Sequence, residues 1–317
     1  MIWESSTSTA PKQIAKTKIN SQAEFFAESQ ALYASAHPNV VQVHYACLDV
    51  DYIYLAMPYY RAGSVKGLMS ARNLTVREII ALGAQTLAGL HNIHSKNLIH
   101  FDVKPDNILL SPQGEALVSD FGQAKQMNFA GVAAQDRHYG KMIPPEALLT
   151  DQFDRTFDIY QFGLTLYRMC NGNDDFYAQL AAYGSPNNLD RAKFSFALRN
   201  ARFPNRSSFL PHIPSTLRNV IRKCLEVEPA RRYQSAIEVA NAMSGIDGNG
   251  LDWHFVSHPN KKVWTKNENG TEYELTVNAN GSSDCYKSVN GGAKRRVSAA
   301  CSANTTDREL RKVFTGY

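Results

Sequence analysis

Apolar positions along the chain fall into two regimes. Between Gln13 and Ile19 apolar and polar residues mix over the length of a short strand. From residue 22 to 36, Phe25, Leu32 and Ala36 recur at helical spacing until His37-Pro38-Asn39 stops the run. Val40–Val50 and Tyr52–Tyr59 are rich in β-branched and aromatic residues, which predicts two strands joined at Asp51. After Ala62-Gly63-Ser64 the period changes. Thr75-Val76-Arg77-Glu78 has the spacing of a capping box, and Ile79, Ile80, Leu87, Leu90 and Ile93 then line one face of a helix. Two short apolar runs, Asn107–Leu110 and Ala116–Val118, bracket the turn Pro112-Gln113-Gly114. Ile159–Met169 is nearly apolar and predicts a deeply buried helix, and residues 214–245 predict two more helices meeting at Glu228-Pro229. Strand, helix, strands and then mainly helices is an α+β order, with a small β-rich part ahead of a larger α-rich one.

The pattern changes again at Gly245–Gly250, where three glycines in six residues mark a linker. Beyond it the chain is rich in Asn, Gly, Thr, Lys and aromatics. Trp253–Val256, Lys262–Thr265, Tyr273–Val277 and Arg296–Ala300 predict strands, and Thr306–Phe314 a closing helix. The expected division is therefore residues 1–246, with a boundary near 60–64 inside it, and a small β-rich domain over 250–317. Trp253 and Trp264 are expected in the core of that domain.

Composition narrows the class. With 317 residues, 44% of them hydrophobic and 20% charged, the chain has room for one two-part domain and a small module. A net charge of +5, from 34 basic and 29 acidic residues, is too small and too scattered to argue for nucleic acid. No apolar run reaches the roughly 18 residues of a membrane span, and Met1–Lys12 lacks the apolar stretch of a secretory signal. These observations point to the cytoplasm. The five cysteines include no Cys-x-x-Cys pair and are odd in number, so free thiols are expected in place of a zinc site or disulfide framework.

The strongest chemical signal is His100-Phe101-Asp102-Val103-Lys104-Pro105-Asp106-Asn107, followed eighteen residues after Asp102 by Asp120-Phe121-Gly122. This resembles the catalytic and metal-binding loops of eukaryotic-type serine/threonine protein kinases, at the family's spacing. The residue types suit the implied chemistry. A hydroxyl nucleophile needs an acceptor for its proton, the place of Asp102, and Lys104 can neutralise the transferring phosphoryl group. Magnesium, a hard ion, wants oxygen ligands, the implied role of Asn107 and Asp120.

The resemblance extends further. Pro144-Pro145-Glu146 is similar to the motif that ends the activation segment, Asp158 opens the buried helix expected to brace the catalytic loop, and Arg232 matches the arginine that pairs with the glutamate. In the β-rich part, Glu28 lies nine residues before His37, as the helix-C glutamate does in this family. Leu55-Ala56-Met57-Pro58-Tyr59 resembles the hinge, with Met57 as gatekeeper, Tyr59 facing adenine through backbone groups and Leu109 as the floor beneath it. Lys16 and Lys18 share one strand face and are both candidates for the ATP lysine. Lys16 is preferred because Ile14 then supplies an apolar ceiling.

The resemblance implies a two-lobed kinase fold with a trimmed N-lobe, ATP and Mg2+ as cofactors, and protein substrates. No membrane or nucleic-acid partner is implied, and the tail domain is offered to an unidentified protein partner. Three departures qualify it. No glycine precedes Gly63, so a glycine-rich phosphate lid is missing from this sequence, either because the lobe is trimmed or because the chain starts late. Phe101 replaces the arginine that usually receives an activation-segment phosphate, and residues 123–143 contain no Ser or Thr, which implies independence of such phosphorylation. Tyr139-Gly140-Lys141 stands where a small Gly-Thr motif is usual. The alternative is a pseudokinase acting as a binding module. A small-molecule phosphotransferase shares the loop pattern but has no need of Glu146, Asp158 and Arg232. Finally, Lys294-Arg295-Arg296-Val297-Ser298 has the form that basophilic kinases accept and makes Ser298 a candidate for self-modification.

Overall fold

The computed structural model describes residues 9–16, 37–135, 140–185 and 188–317, with backbone alone for 9–12. The expected helix over 22–36, with Glu28, and the residues Lys18 and Tyr139 lie outside the described residues.

A three-stranded antiparallel sheet forms the first part. Its strands are β1 (Thr9–Ala15), β2 (Tyr45–Leu48) and β3 (Tyr52–Pro58), in the order β1-β3-β2. Ile14 pairs directly with Ile53, and Ile14, Val43 and Met57 pack on the buried Ile53 and Leu55 as a small separate core. The first strand starts four residues earlier than the sequence suggested. Pro11 can sit within it because β1 is an edge strand, where a missing N–H costs little. The strand expected from Val40 begins only at Tyr45. Val40 and Val41 instead tie the sheet to the next part: Val40 bridges Val118, and Val41 N donates to Val118 O at 2.9 Å.

The larger part is helical: α1 (Val65–Ala71), α2 (Val76–Ser95), α3 (Thr156–Asn171), α4 (Asn173–Ala181), α5 (Arg191–Arg199), α6 (Ser215–Cys224) and α7 (Ala236–Ser244). The capping box forms as its spacing predicts, with Glu78 N donating to Thr75 Oγ1 at 3.2 Å and Thr75 N to Glu78 Oε2 at 2.8 Å. Residues 156–170 of α3 are all buried, so this helix is the axis of the core. Gly163 lets α6 come close, because a Cβ at that position would lie 2.6 Å from the Cβ of Cys224. Among the described residues no helix is long and apolar enough to cross a membrane. Cys170, Cys224 and Cys285 are buried free thiols, Cys301 is half-buried and Cys47 exposed.

The tail has its own sheet and core. Strands His254–His258, Lys261–Glu268, Thr271–Asn278, Ser283–Val289 and Arg295–Arg296 run antiparallel in sequence order, and α8 (Asp307–Gly316) packs on one face. Phe255, Trp264, Leu275 and Cys285 stand in one cross-strand row and meet Trp253, Leu310, Val313 and Phe314. Sequence reading missed Ser283–Val289, which presents mostly polar residues. It also read Arg296–Ala300 as a strand, whereas pairing ends at Arg296 and Ser298–Ala300 is a 3-10 turn.

His212, in the loop before α6, joins the tail to the helical part. Trp264 Nε1 donates to His212 Nδ1 at 3.0 Å, and the rings of Phe255, Trp264 and Phe314 surround the imidazole. Arg77 of α2 adds a bidentate pair to Asp252. Burial holds His212 neutral and pushes its pKa down to about 3. In the unfolded chain the imidazole protonates below its ordinary 6.5, so between these values the unfolded state binds more protons and stability falls with falling pH. Going from pH 7 to pH 5 is expected to cost about 2 kcal/mol through this residue. Denaturant melts at both pH values check it: the pH slope should shrink by that amount in His212→Gln, and an equal slope in the variant contradicts the assignment.

Candidate active site

The catalytic loop is positioned by α3. Asp158, fully buried at the start of that helix, accepts from His100 N and Phe101 N, each at 2.8 Å, and from His94 Nε2 of α2, also at 2.8 Å. One turn later Gln161 Oε1 accepts from Val103 N at 2.8 Å, while its Nε2 donates to Phe101 O at 3.0 Å and Met142 O at 3.3 Å. These bonds hold Phe101 at φ +64°, a left-handed conformation that a bulky residue adopts only where its surroundings compel it. His100 fixes the other side. Its Nδ1 accepts from Asp102 N at 3.2 Å and its Nε2 donates to Ser119 O at 3.0 Å, which makes it the neutral Nε2–H tautomer.

Within this frame Asp102, Lys104 and Asn107 converge. Asp102 Oδ2 accepts from Lys104 Nζ at 2.8 Å and from Asn107 Nδ2 at 2.7 Å, and Asn107 Nδ2 also donates to Asp102 O at 2.9 Å. The second carboxylate oxygen, Oδ1, is buried without a hydrogen-bond partner. Asp120 follows the short strand Ala116–Val118 at φ +66°, and the Phe121 ring packs edge-on against His100 with centroids 5.2 Å apart.

On the side where the sequence places adenine, Ser64 bridges Leu109, and Leu110 N donates to Gly63 O at 2.9 Å, so the half-buried Leu109 lies under the chain that leaves β3. Met57 is partly buried and pairs with Ala10, and Tyr59 is exposed. Lys16 falls just beyond β1, at the end of the sheet farthest from Met57. Its N–H donates to Asp51 O at 2.9 Å, and its charge helps lower the pKa of Asp49, where the Tyr54 hydroxyl has the largest effect. Lys12 occupies the register position opposite Leu55, two residues from the Met57 pair.

Glu146 and Arg232 meet in a bidentate pair, Nη1–Oε1 at 2.7 Å and Nη2–Oε2 at 2.6 Å. The guanidinium also donates to the carbonyls of Glu226, Val227 and Thr156 and lies over the Tyr160 ring.

Phe101, in the place of the usual arginine, belongs to an apolar cluster with Ile99, Met127, Ala133, Phe153 and Phe157. Its ring meets Phe153 and Phe157 edge-on at 5.9 and 4.9 Å. The activation segment, whose residues Ala133–Ala134 pair with Gln152–Phe153, is thus anchored by packing. Phe101→Leu, which removes the edge contacts and little volume, is expected to cost about 1 kcal/mol. A thermal melt reads this, and an unchanged midpoint would place the anchor elsewhere.

Sequence reasoning missed His94 and Gln161. Gln161 carried a signal, as a polar residue inside the nearly apolar run Ile159–Met169, whereas His94 looked like an ordinary end of an amphipathic helix.

The protein kinase domain family matches residues 3–243. A probable serine/threonine-protein kinase of Clostridium acetobutylicum is 27% identical over 229 residues, 71% of this chain and 33% of that protein. Serine/threonine-protein kinase PrkC of Bacillus subtilis is 25% identical over 234 residues, 72% of this chain and 34% of that protein. Human Rho-associated protein kinase 1 is 36% identical over 165 residues, half of this chain and 12% of that protein. The chain therefore spans about a third or less of the length of these relatives. With the loop geometry of Asp102, Asn107 and Asp158 and a family match over most of its length, this chain belongs to the eukaryotic-type serine/threonine protein kinases.

Proposed function

We propose that this chain transfers the γ-phosphoryl group of ATP to serine or threonine hydroxyls of protein substrates, and that it does so without a phosphate on its activation segment. The observation that carries the reading is the asymmetry of Asp102. One oxygen is held by Lys104 and Asn107, while the other is buried with no partner and fits the place of an acceptor for a hydroxyl proton. Asn107 commits its amide nitrogen to Asp102, which leaves its amide oxygen as a ligand, and Asp120 adds a carboxylate. These two would hold magnesium, which when bound neutralises charge on the phosphates. Among the described residues no group of three or more His, Cys, Asp or Glu could hold an ion unaided, in keeping with an ion carried partly by the nucleotide. Lys104 orients and balances the Asp102 carboxylate, and Leu109 and Met57 offer the apolar surface for adenine.

Independence of activation-segment phosphorylation rests on the three-phenylalanine anchor and on the lack of Ser and Thr in residues 123–143. The test is incubation with labelled ATP, Mg2+ and a generic protein substrate, followed by mass spectrometry of that segment. Substrate labelling with an unmodified segment is expected. No labelling, or labelling only after Tyr139 is phosphorylated, overturns the respective part.

The lysine that meets the nucleotide phosphates is, in this reading, Lys12 in preference to Lys16. Lys12 lies within β1 opposite Leu55, whereas the backbone of Lys16 falls beyond that strand, its N–H on Asp51 O at 2.9 Å. Lys12→Ala should lower kcat/KM for ATP about a hundredfold, the effect of removing one charge-stabilising donor, and Lys16→Ala should change it little. The reverse ranking restores Lys16.

A further inference from the structure

The face beside the catalytic loop is positive. Apart from Asp102, the loop's other carboxylate is Asp106, and it is already engaged. Lys66 of α1 donates to its Oδ1 at 2.6 Å, and the guanidinium of Arg168 of α3 lies 3.6 Å from its Oδ2. Arg168 sits over the rings of Phe176 and Tyr177 at 5.3 and 5.5 Å, and Lys141, in the segment leading to Pro144, lies over Tyr177 at 5.6 Å. Among the described residues, Lys66 and Arg168 thus gather on Asp106, Lys104 on Asp102, and Lys141 and Arg168 on the Tyr177 ring. The neighbouring Asp175 of α4 is turned to Tyr167 and Gln179. Lys66 keeps 42% of its side chain exposed, so the group reaches solvent.

We propose, resting on the phosphotransfer reading above, that this face selects protein substrates whose acceptor hydroxyl is flanked by acidic residues. An incoming arginine finds the only nearby carboxylate of the loop other than the base already neutralised, and meets like charge. An incoming glutamate or aspartate meets Lys66 and Lys141. The tail segment around Ser298 is then a poor substrate despite its Arg-Arg-x-Ser form. Two of its cations are also engaged, Lys294 with Glu274 at 2.9 Å and Arg296 with Asp284 at 3.1 Å.

Two labelled peptides with the same central serine, one flanked by glutamates and one by arginines, test this. Their binding is measured by anisotropy without nucleotide, and their phosphorylation with ATP and Mg2+. The acidic peptide should bind and be turned over about tenfold better, with the advantage shrinking as salt is raised. Lys66→Ala and Lys141→Ala should each cut that advantage several-fold with an unchanged melting temperature. Equal binding, or tighter binding of the arginine peptide, overturns the proposal. Preferred binding of the acidic peptide with no phosphate on either peptide upholds the charge selection and overturns the phosphotransfer reading instead.

Discussion

Asp120→Ala is expected to reduce phosphoryl transfer by about a thousandfold or more, equivalent to ~4 kcal/mol of transition-state stabilisation, and to leave the fold intact. Asp120 is half-buried at the mouth of the activation segment, beyond the strand Ala116–Val118. The packing at this point comes from its neighbours: Phe121 on His100, and Ala124, which is buried. Removing the carboxylate would take away the magnesium ligand proposed above without opening a cavity in the core. Phosphate incorporation into a protein substrate, measured beside a thermal melt, gives the answer. Wild-type incorporation in a folded variant would remove Asp120 from the metal site.

Arg232→Ala should have the largest effect on stability. Arg232 is 2% exposed, and its charge is matched by Glu146, three backbone carbonyls and the face of Tyr160. Truncating it leaves the Glu146 carboxylate and those carbonyls without their donor in a place that water reaches poorly. Losing one partner of such a pair costs ~3–5 kcal/mol, which for a domain of this size lowers the melting temperature by about 10 °C. Removing both charges together, as in Glu146→Gln with Arg232→Met, should cost less than Arg232→Ala alone, because no charge is stranded. Calorimetry on the single and double variants decides it, and a shift within error for Arg232→Ala would mean that the pair contributes nothing.

The convergence of the three loop residues was readable because they lie close together in the chain. Asp102, Lys104 and Asn107 lie within six positions, and the loop brings their atoms within 2.7–2.8 Å. Glu146 and Arg232 were readable only through the family resemblance, since no local pattern links residues 86 positions apart. The supports of the loop were hidden for the same reason. His94 and Gln161 act on groups about sixty residues away, and their side chains gave no period to read.

The sheet of the first part was misplaced where local signals compete. The first strand was read from Gln13, whereas it begins at Thr9 and carries Pro11 on the edge of the sheet, where a missing N–H is tolerated. The β-branched pair Val40 and Val41 looked like strand interior but serves to join the sheet to Val118. In the tail, Ser283–Val289 buries Cys285 with little else that is apolar, so its alternation carried almost no hydrophobic contrast, while Trp253 and Trp264 announced the core correctly by size alone.

In the proposed reaction Asp102 accepts the proton of a substrate hydroxyl during transfer. The most direct measurement is the single-turnover rate of phosphate transfer from ATP-Mg to a protein substrate by Asp102→Asn, compared with the parent at equal nucleotide saturation. Asparagine keeps the shape and can still bond to Lys104 or Asn107, but it cannot take up the proton, so a fall of about a hundredfold to ten-thousandfold is expected with an unchanged melting temperature. A folded Asp102→Asn protein that transfers phosphate at the parent rate would contradict the account.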